Sequence, residues 1–147
     1  MKKTIYLLWW ITILLGIGIS LFYFSQKQSS RVCCSEQCFT IELAITPAER
    51  QQGLMYRESL PKTAGMLFIF EQEEYHDFRM KNTLIPLDMI RINAEMEIID
   101  IQEAIPCKAD LCTSYSPEKA STYVLEINQW ISKQQGIKIW DTCTLYQ

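Results

Sequence analysis

The stretch MKNTLIPLDMIRIN, residues 80–93, decides how the chain folds. Residues 87–93 have the apolar, β-branched composition of a strand, and residues 97–104 repeat it after a turn at residues 94–95. This spacing predicts a β-hairpin. Pro86 has no N–H to donate to a neighbouring strand, so we expect the beginning of the hairpin at a sheet edge or a bulge.

Polar residues are concentrated around the start of this hairpin. Asn82 can bond to nearby backbone and hold an irregular strand entry, while Lys81 and Asp88 flank that entry with opposite charges. An ion pair would account for these charges, but edges and bulges are also common places for binding sites. With Arg57 and Glu126, these three are the candidate ligand-binding residues. For Arg57, an ion pair with Asp88 or Glu126 is the simpler interpretation.

Upstream, a strand pattern gives way to a helix start. Apolar and polar residues alternate over residues 39–45, which predicts a half-buried strand. Thr46 then suits the N-cap, Pro47 the first helical position, and Glu49 completes a capping box. We expect a short helix that ends at Gly53. The capping box gives Glu49 a structural role in place of a catalytic one.

The remaining periodic segments are short and separated by turns. They predict a strand at 65–70, a solvated turn at 71–74, strands at 75–80 and 123–127, a helix capped by Asn128 and ending at Gly136, and a strand at 137–145. Closely spaced short strands with two small helices predict a mainly β domain. Its architecture is expected to be an antiparallel β-sandwich or a partly closed barrel.

The N-terminus predicts membrane attachment. Residues 5–24 contain no charged side chain and follow two lysines, and as a helix twenty residues span about 30 Å, the thickness of a bilayer core. We therefore predict a cytoplasmic stub at residues 1–4, a transmembrane anchor, a linker at residues 25–37, and a periplasmic or external domain at residues 38–147. A cleaved signal peptide is the alternative, although the apolar run is longer than such peptides have.

Six cysteines agree with an extracytoplasmic location, because an even number in an exported domain indicates disulfides. Cys107 and Cys112 can close a tight loop, and we predict that bridge. The other four can pair among themselves in more than one way: Cys33, Cys34, Cys38 and Cys143. A zinc site is the alternative, but the chain has one histidine and no paired CxxC motif, so we predict no metal and no cofactor.

No catalytic motif accompanies these features. His76 neighbours Asp77, but adjacent residues of a strand point to opposite faces, which argues against a His–Asp dyad. The methionines occupy apolar positions typical of a core and not of a copper site. A net charge of −3 provides no basic surface for nucleic acid.

Several blocks of sequence follow one another in a specific order. They are TPAERQQGLMYRESLPKTAGMLFIF at 46–70, MKNTLIPLDMIRIN at 80–93, Pro106 with Cys107, Cys112, Tyr115, and YVLE at 123–126. In order and spacing they resemble the uncharacterised family called domain of unknown function 192 (DUF192), over residues 39–141. The resemblance implies a small, often exported jelly-roll β-sandwich without a settled activity. Arg79 departs from the family pattern, in which a tryptophan is common, and the hairpin turn lacks the usual glycine.

We therefore expect a membrane-anchored extracytoplasmic binding or accessory domain and not an enzyme. Its expected partners are the membrane and, as a candidate, an envelope protein. Two alternatives remain open at this stage. One is a small envelope hydrolase that uses Asp88 or Glu126 with Lys81, and the other is metal or thiol-redox handling by the cysteines.

Overall fold

Strands dominate the computed structural model, which describes residues 30–108 and 111–147. The strands are β1 (Arg31–Cys34), β2 (Gln37–Ala44), β3 (Ala64–Glu74), β4 (Phe78–Arg79), β5 (Leu87–Ile92), β6 (Ile98–Ala104), β7 (Ser114–Tyr115), β8 (Ser121–Asn128) and β9 (Cys143–Tyr146). The helices are α1 (Pro47–Gln52) and α2 (Ile131–Gln134). The predicted anchor at residues 5–24 lies outside the described residues, and within them no helix has the length and apolar character to cross a bilayer.

Seven of the strands form one sheet in the order β6-β5-β8-β3-β2-β1-β9, and β4 pairs with β7 in a separate ribbon. Neighbours in the large sheet are antiparallel except β2 and β3, which are parallel. The sheet curls until its edges meet at one end, where Glu97 and Thr142 form an isolated bridge. There the Ile98 N–H also donates to the carbonyl of Asp141 at 2.9 Å. Of the two predicted architectures, the fold therefore adopts the partly closed barrel.

Apolar side chains cover both faces of the curled sheet. On β3, Leu67 belongs to a cluster inside the curl, whereas Phe68 belongs to a cluster on the outer face. Leu125 and Val124 divide β8 in the same way, as the alternation of side chains along a strand requires. Residues from the connecting segments close the outer cluster: Leu54, Leu60, Met80 and Ile85. A polar side chain on the outer face is therefore buried as well.

The locally encoded features are confirmed. Thr46 Oγ1 accepts the Glu49 N–H at 3.3 Å, and the Glu49 carboxylate accepts the Thr46 N–H at 2.8 Å, so the capping box is complete. These bonds lower the pKa of Glu49. The helix begins at Pro47, and Gly53 is its C-cap. The predicted hairpin forms from β5 and β6, with Met96 at φ 65°, in the left-handed region that glycine favours.

The predicted boundary of the folded domain is too late in the chain. The segment assigned as a linker, residues 25–37, includes β1, which pairs with β2 on one side and β9 on the other. Its four residues are too few to display a strand pattern, and one of its two partners, β9, lies at the far end of the chain. The fold therefore includes residues from Ser30 onward, whose carbonyl accepts the Ile41 N–H at 2.8 Å.

Four further local predictions are wrong. Residues 71–74 continue β3 as an exposed strand instead of forming a turn, and only two residues of the predicted strand at 75–80 are in β4. The predicted cap, Asn128, donates its side-chain amide to the Leu60 carbonyl at 2.8 Å, and Trp130 is the N-cap of α2. The strand predicted at residues 137–145 begins only at Cys143.

Pro86 does not mark a sheet edge. The strand that follows it, β5, lies between β6 and β8 in the interior of the sheet, and all six of its residues are buried. The proline directly precedes Leu87, the first residue of the strand, so its missing N–H falls outside the ladder of hydrogen bonds. Its carbonyl accepts the Gln129 N–H at 3.1 Å. Proline is tolerated at such a strand start even when the strand is central.

Candidate functional site

A cleft of about 570 Å³ opens on the outer face of the sheet. Residues 50–55, from α1 and the turn after it, line one side of the cleft, and residues 75–79 also contribute. Phe68 and Phe70 of β3 supply aromatic surface, and Glu126 of β8 supplies a carboxyl group from the sheet. The volume lies in the range of about 300–1,000 Å³ that is usual for small-molecule pockets.

Glu126 is a buried, unpaired carboxyl group. Its neighbour Leu125 points into the curl, so alternation places Glu126 on the outer face, opposite Met66 of β3 and Met89 of β5. The residue is only 5% exposed. No donor within the described residues forms a hydrogen bond to its carboxyl oxygens. Burial raises the pKa of Glu126 to about 8, despite the opposing attraction of Arg91, so the group is protonated at neutral pH.

Arg91 holds one side of the cleft in place. Its guanidinium is fully buried and donates to the carbonyl of His76 at 2.8 Å and to that of Tyr115 at 2.7 Å. Arg91 Nε lies 3.7 Å from the carboxylate of Asp100. Burial lowers the pKa of Arg91 and raises that of Asp100. Arg91 therefore joins β5 to residues 75–79 and to β7, and we regard it as a positioning residue.

Positively charged or aromatic groups of the protein already contact the rings in the cleft. Arg50 lies 5.1 Å from the ring centroid of Phe70, and its Nη1 donates to a β3 carbonyl at 3.0 Å. His76 stacks on the same ring with centroids 3.5 Å apart, and Arg91 lies 5.6 Å from the centroid of Phe78. Burial lowers the pKa of His76, and its Nε2 is buried without a hydrogen-bond partner in the described part of the chain. The imidazole is therefore neutral at neutral pH.

Of the five candidate residues, only Glu126 lines this cleft. Arg57 forms a two-bonded ion pair with Glu42, with Nη2 and Oε2 2.7 Å apart, so the predicted pairing with Asp88 or Glu126 is wrong. Lys81 is exposed and forms a parallel bridge with Cys107.

Asn82 and Asp88 have structural contacts instead. Asn82 has φ 60°, and its carbonyl accepts the Tyr56 N–H at 2.8 Å. Asp88 is fully buried, and its carboxylate accepts the Trp130 N–H at 2.9 Å, the Ser132 N–H at 2.9 Å and the Ser132 hydroxyl at 2.6 Å. It therefore fixes the start of α2.

The structure does not assemble the hydrolase arrangement. Asp88 pairs across the ladder with Ile127, whose side chain lies in the interior cluster, whereas Glu126 lies on the outer face. The two carboxyl groups are thus on opposite faces of the sheet. Lys81 lines no part of the cleft that contains Glu126, so the proposed electrostatic partnership is absent.

Sequence reasoning missed Arg50, Arg79 and Arg91 as contributors to the site. It considered His76 only as a member of a His–Asp dyad, which it rejected. Arg91 had a detectable signal, since it is the one cation in a hairpin strand that otherwise reads as buried. A buried arginine needs several acceptors, and here they are the carbonyls of His76 and Tyr115 and the side chain of Gln102. The two other arginines and the histidine come from segments whose convergence depends on the curl of the sheet.

All six cysteines form disulfides, and none is free. The predicted Cys107–Cys112 bridge is confirmed. The remaining four pair as Cys33 with Cys38 and Cys34 with Cys143. Within residues 30–108 and 111–147, no group of three or more histidine, cysteine, aspartate or glutamate side chains is arranged to hold a metal ion.

Fold and site together define a class: a disulfide-bonded domain built on one curled β-sheet, with a ligand-sized cleft on its outer face. The profile of the DUF192 family, described as an uncharacterised ACR, matches residues 30–145. The chain belongs to this family, as the sequence blocks predicted. No protein of curated function matches the chain.

The solved structures that are similar to it include two whose descriptions follow. One, from Sinorhizobium meliloti 1021, is provisionally named a transcription regulator; it is 33% identical, covers 78% of this chain and 90% of its own, and superposes with a TM-score of 0.69. The other, a protein of unknown function from Novosphingobium aromaticivorans DSM 12444, is 32% identical, covers 79% of this chain and 83% of its own, and has a TM-score of 0.71.

Proposed function

We propose that this protein is a membrane-anchored, extracytoplasmic binding or accessory domain that takes a small molecule into the cleft around Glu126. The observation that carries the proposal is the unpaired carboxyl group in that cleft. Burying a carboxyl group without a hydrogen-bond partner costs folding free energy. Groups that reduce stability without a structural return are concentrated at functional sites, where a ligand completes their bonding.

Two features support the location. Three disulfides fit an oxidising compartment outside the cytoplasm. The apolar run at residues 5–24 has the length and composition of a bilayer span. Since the described fold includes Ser30, at most five residues, 25–29, separate it from that run, and five extended residues reach at most about 18 Å. The anchor would thus hold the domain close to the lipid surface.

The name of the Sinorhizobium protein does not extend to this chain. A net charge of −3 offers no basic surface to nucleic acid.

Binding in the cleft can be tested by blocking it. Gln51 is an exposed residue of α1 that lines the cleft, so Gln51→Trp places an indole at its mouth without disturbing buried contacts. Gln134, exposed on α2 and not part of the cleft lining, provides the matched control Gln134→Trp. In a fragment screen by NMR on the full chain in detergent micelles, we expect Gln51→Trp to weaken the fragments that bind wild type and Gln134→Trp to leave them unchanged. Fragments that bind all three proteins equally would contradict the proposal.

Location is tested separately, by fractionation of cells and thiol labelling before reduction. We expect the chain in membranes after alkaline extraction, with its domain accessible to protease from outside and no labelled cysteine. A chain in the cytosolic fraction with six labelled thiols would refute the anchored, disulfide-bonded domain.

A further inference from the structure

We propose that the cleft selects a small organic anion, a carboxylate with an apolar or aromatic body, whose anionic group accepts a hydrogen bond from the carboxyl group of Glu126 in a cleft also lined by Arg50 and Arg79. This inference rests on the proposed binding function and adds the chemical class of the ligand.

The charges around the cleft disfavour a cationic ligand. Arg50 and Arg79 line it, and Arg91 lies close enough to Glu126 to oppose its protonation. A carboxyl group within an aromatic cage would otherwise suit an ammonium ion. Here, however, Arg50 and Arg91 already lie over the rings of Phe70 and Phe78. A ligand cation would meet two guanidinium groups in the lining and rings that already contact arginine side chains.

Glu126 supplies the matching donor. Because its pKa is about 8, it keeps its proton at neutral pH and can donate that proton to a ligand carboxylate in a hydrogen bond. No hydrogen bond within the described residues competes for this proton, and Glu126 is only 5% exposed to solvent. Above its pKa the same group becomes an anion and would repel the ligand carboxylate.

The other titratable groups at the cleft modify this dependence. His76, from the segment before β4, is neutral and would gain a proton and a positive charge only in more acidic solution. Asp77, from the same segment, is the other acidic residue of the lining. Arg50 of α1 and Arg79 of β4 line the cleft, and Arg91 of β5 lies near Glu126. With a pKa of about 8, Glu126 changes charge between pH 6.5 and 9.

The body of the ligand would contact apolar side chains of the cleft. They are Leu54, Met55, Phe68, Phe70, Tyr75 and Phe78. Such a lining favours an aromatic or branched apolar group over a small inorganic anion.

The test compares three probes of similar size and different charge: phenylacetate, benzylamine and benzyl alcohol. Affinities are measured by NMR titration of the full chain in detergent micelles at pH 6.5 and pH 9. We expect phenylacetate to bind more tightly than the other two at pH 6.5 and to lose about tenfold in affinity at pH 9, because a group with pKa near 8 becomes charged between them. Arg79→Gln should weaken phenylacetate about tenfold and leave benzyl alcohol unchanged.

Glu126→Gln retains a neutral donor, so it should bind phenylacetate at pH 6.5 and lose the pH dependence. If Glu126→Gln, at a buried position, does not fold, Arg79→Gln, at an exposed position, still tests the inference. Tighter binding of benzylamine or benzyl alcohol in the cleft would overturn the anion inference while leaving the binding function standing. If none of the three probes binds and no fragment is weakened by Gln51→Trp, both the anion inference and the proposed binding function are overturned.

Discussion

Glu126 shows how strand alternation can place a charged residue where charge is unfavourable. Leu125 and Ile127 point into the curl, which obliges Glu126 to face the outer layer, where Met66 and Met89 flank it. A serine or leucine would fill that position at a lower cost. The residue therefore links the packing of β8 to the chemistry of the cleft.

The burial of Glu126 predicts a specific dependence of stability on pH. Its folded pKa, about 8, exceeds the unfolded value of 4.5, so between these values the unfolded chain releases a proton that the folded chain keeps. This contribution to stability falls as pH rises from 4.5 to 8, by about 3–5 kcal/mol in total. Glu126→Gln removes this pH-dependent loss of unfolding free energy. We therefore expect the variant to be more stable than wild type by at least about 2 kcal/mol at pH 8.5, and nearly as stable as wild type at pH 4.5.

Urea unfolding of the full chain in detergent micelles at the two pH values measures the difference. Glu58→Gln is the matched control, because Glu58 is exposed. An equal effect of Glu126→Gln at both pH values would contradict the assigned protonation.

Asp88 is predicted to be a structural anion. Asp88→Ala leaves the N–H groups of Trp130 and Ser132 and the Ser132 hydroxyl without their acceptor, so we expect a loss of about 3–5 kcal/mol of unfolding free energy. Ser132→Ala removes one of these bonds and should cost about 1 kcal/mol. Denaturant unfolding of both variants decides the order, and similar losses would contradict the shared role of the carboxylate.

Asp88 and Glu126 were identified from the sequence as candidate site residues, but their placement on opposite faces of the sheet was not. Charged residues in apolar strands are visible in a pattern, so both were identified. Their assignment to one site failed because Asp88 pairs with Ile127, one residue away from Glu126, and a shift of one residue changes the face of a strand. The register between two strands depends on how they pair, so it could not be predicted from the sequence of either strand alone.

Helix α1 is short and has no buried residue, so its stability depends on its ends. Its capping box precedes Arg50, which lines the cleft and lies over Phe70. The capping box, which depends only on neighbouring residues, thereby helps to position one side of the cleft.

We expect Thr46→Ala to remove the side-chain acceptor at the helix start and to lower the unfolding free energy by about 1 kcal/mol. Thr46→Ser keeps the acceptor and should cost less. Because α1 lines the cleft, amide chemical shifts at residues 50–55 should change in the alanine variant more than in the serine variant. Unchanged stability of both variants would contradict the importance of the cap for this short helix.

The elements that sequence predicted best are those with local causes. The capping box, Gly53 and the hairpin depend on residues within a few positions of one another. β1 was missed because its partners, β2 and β9, hold it from both sides and its own four residues carry little pattern. For the same reason β4 is shorter than predicted, since tertiary contacts and not alternation decide where pairing stops.

Over the whole molecule, disulfides fasten the edge of the sheet. Cys34 and Cys143 join β1 to β9 across a sequence separation of 109, whereas Cys33 and Cys38 join neighbouring strands across a separation of 5. The mainly β architecture was predicted correctly from short strand spacing. The choice between a sandwich and a partly closed barrel was left open, because the curl depends on a contact between Glu97 and Thr142, which are distant in sequence.

Removing the long-range bridge should cost more than removing the short one. In the chain-entropy account, the Cys34→Ala/Cys143→Ala variant loses about 5 kcal/mol and the Cys33→Ala/Cys38→Ala variant about 2 kcal/mol. Denaturant unfolding of the two double variants without reductant measures the order. Equal losses, or a greater loss for the short bridge, would contradict this account of how the sheet edge is held.

The most direct test of the whole account is a titration of the Glu126 side-chain carboxyl carbon by NMR in the full chain, with Glu126→Gln used to assign the signal. If the residue lies unpaired beneath the cleft, its signal should titrate with a midpoint near 8, and added phenylacetate should move that midpoint upward. A midpoint near the ordinary glutamate value of about 4.3 would mean that the group is solvated or already bonded, and the proposed site would not exist as described.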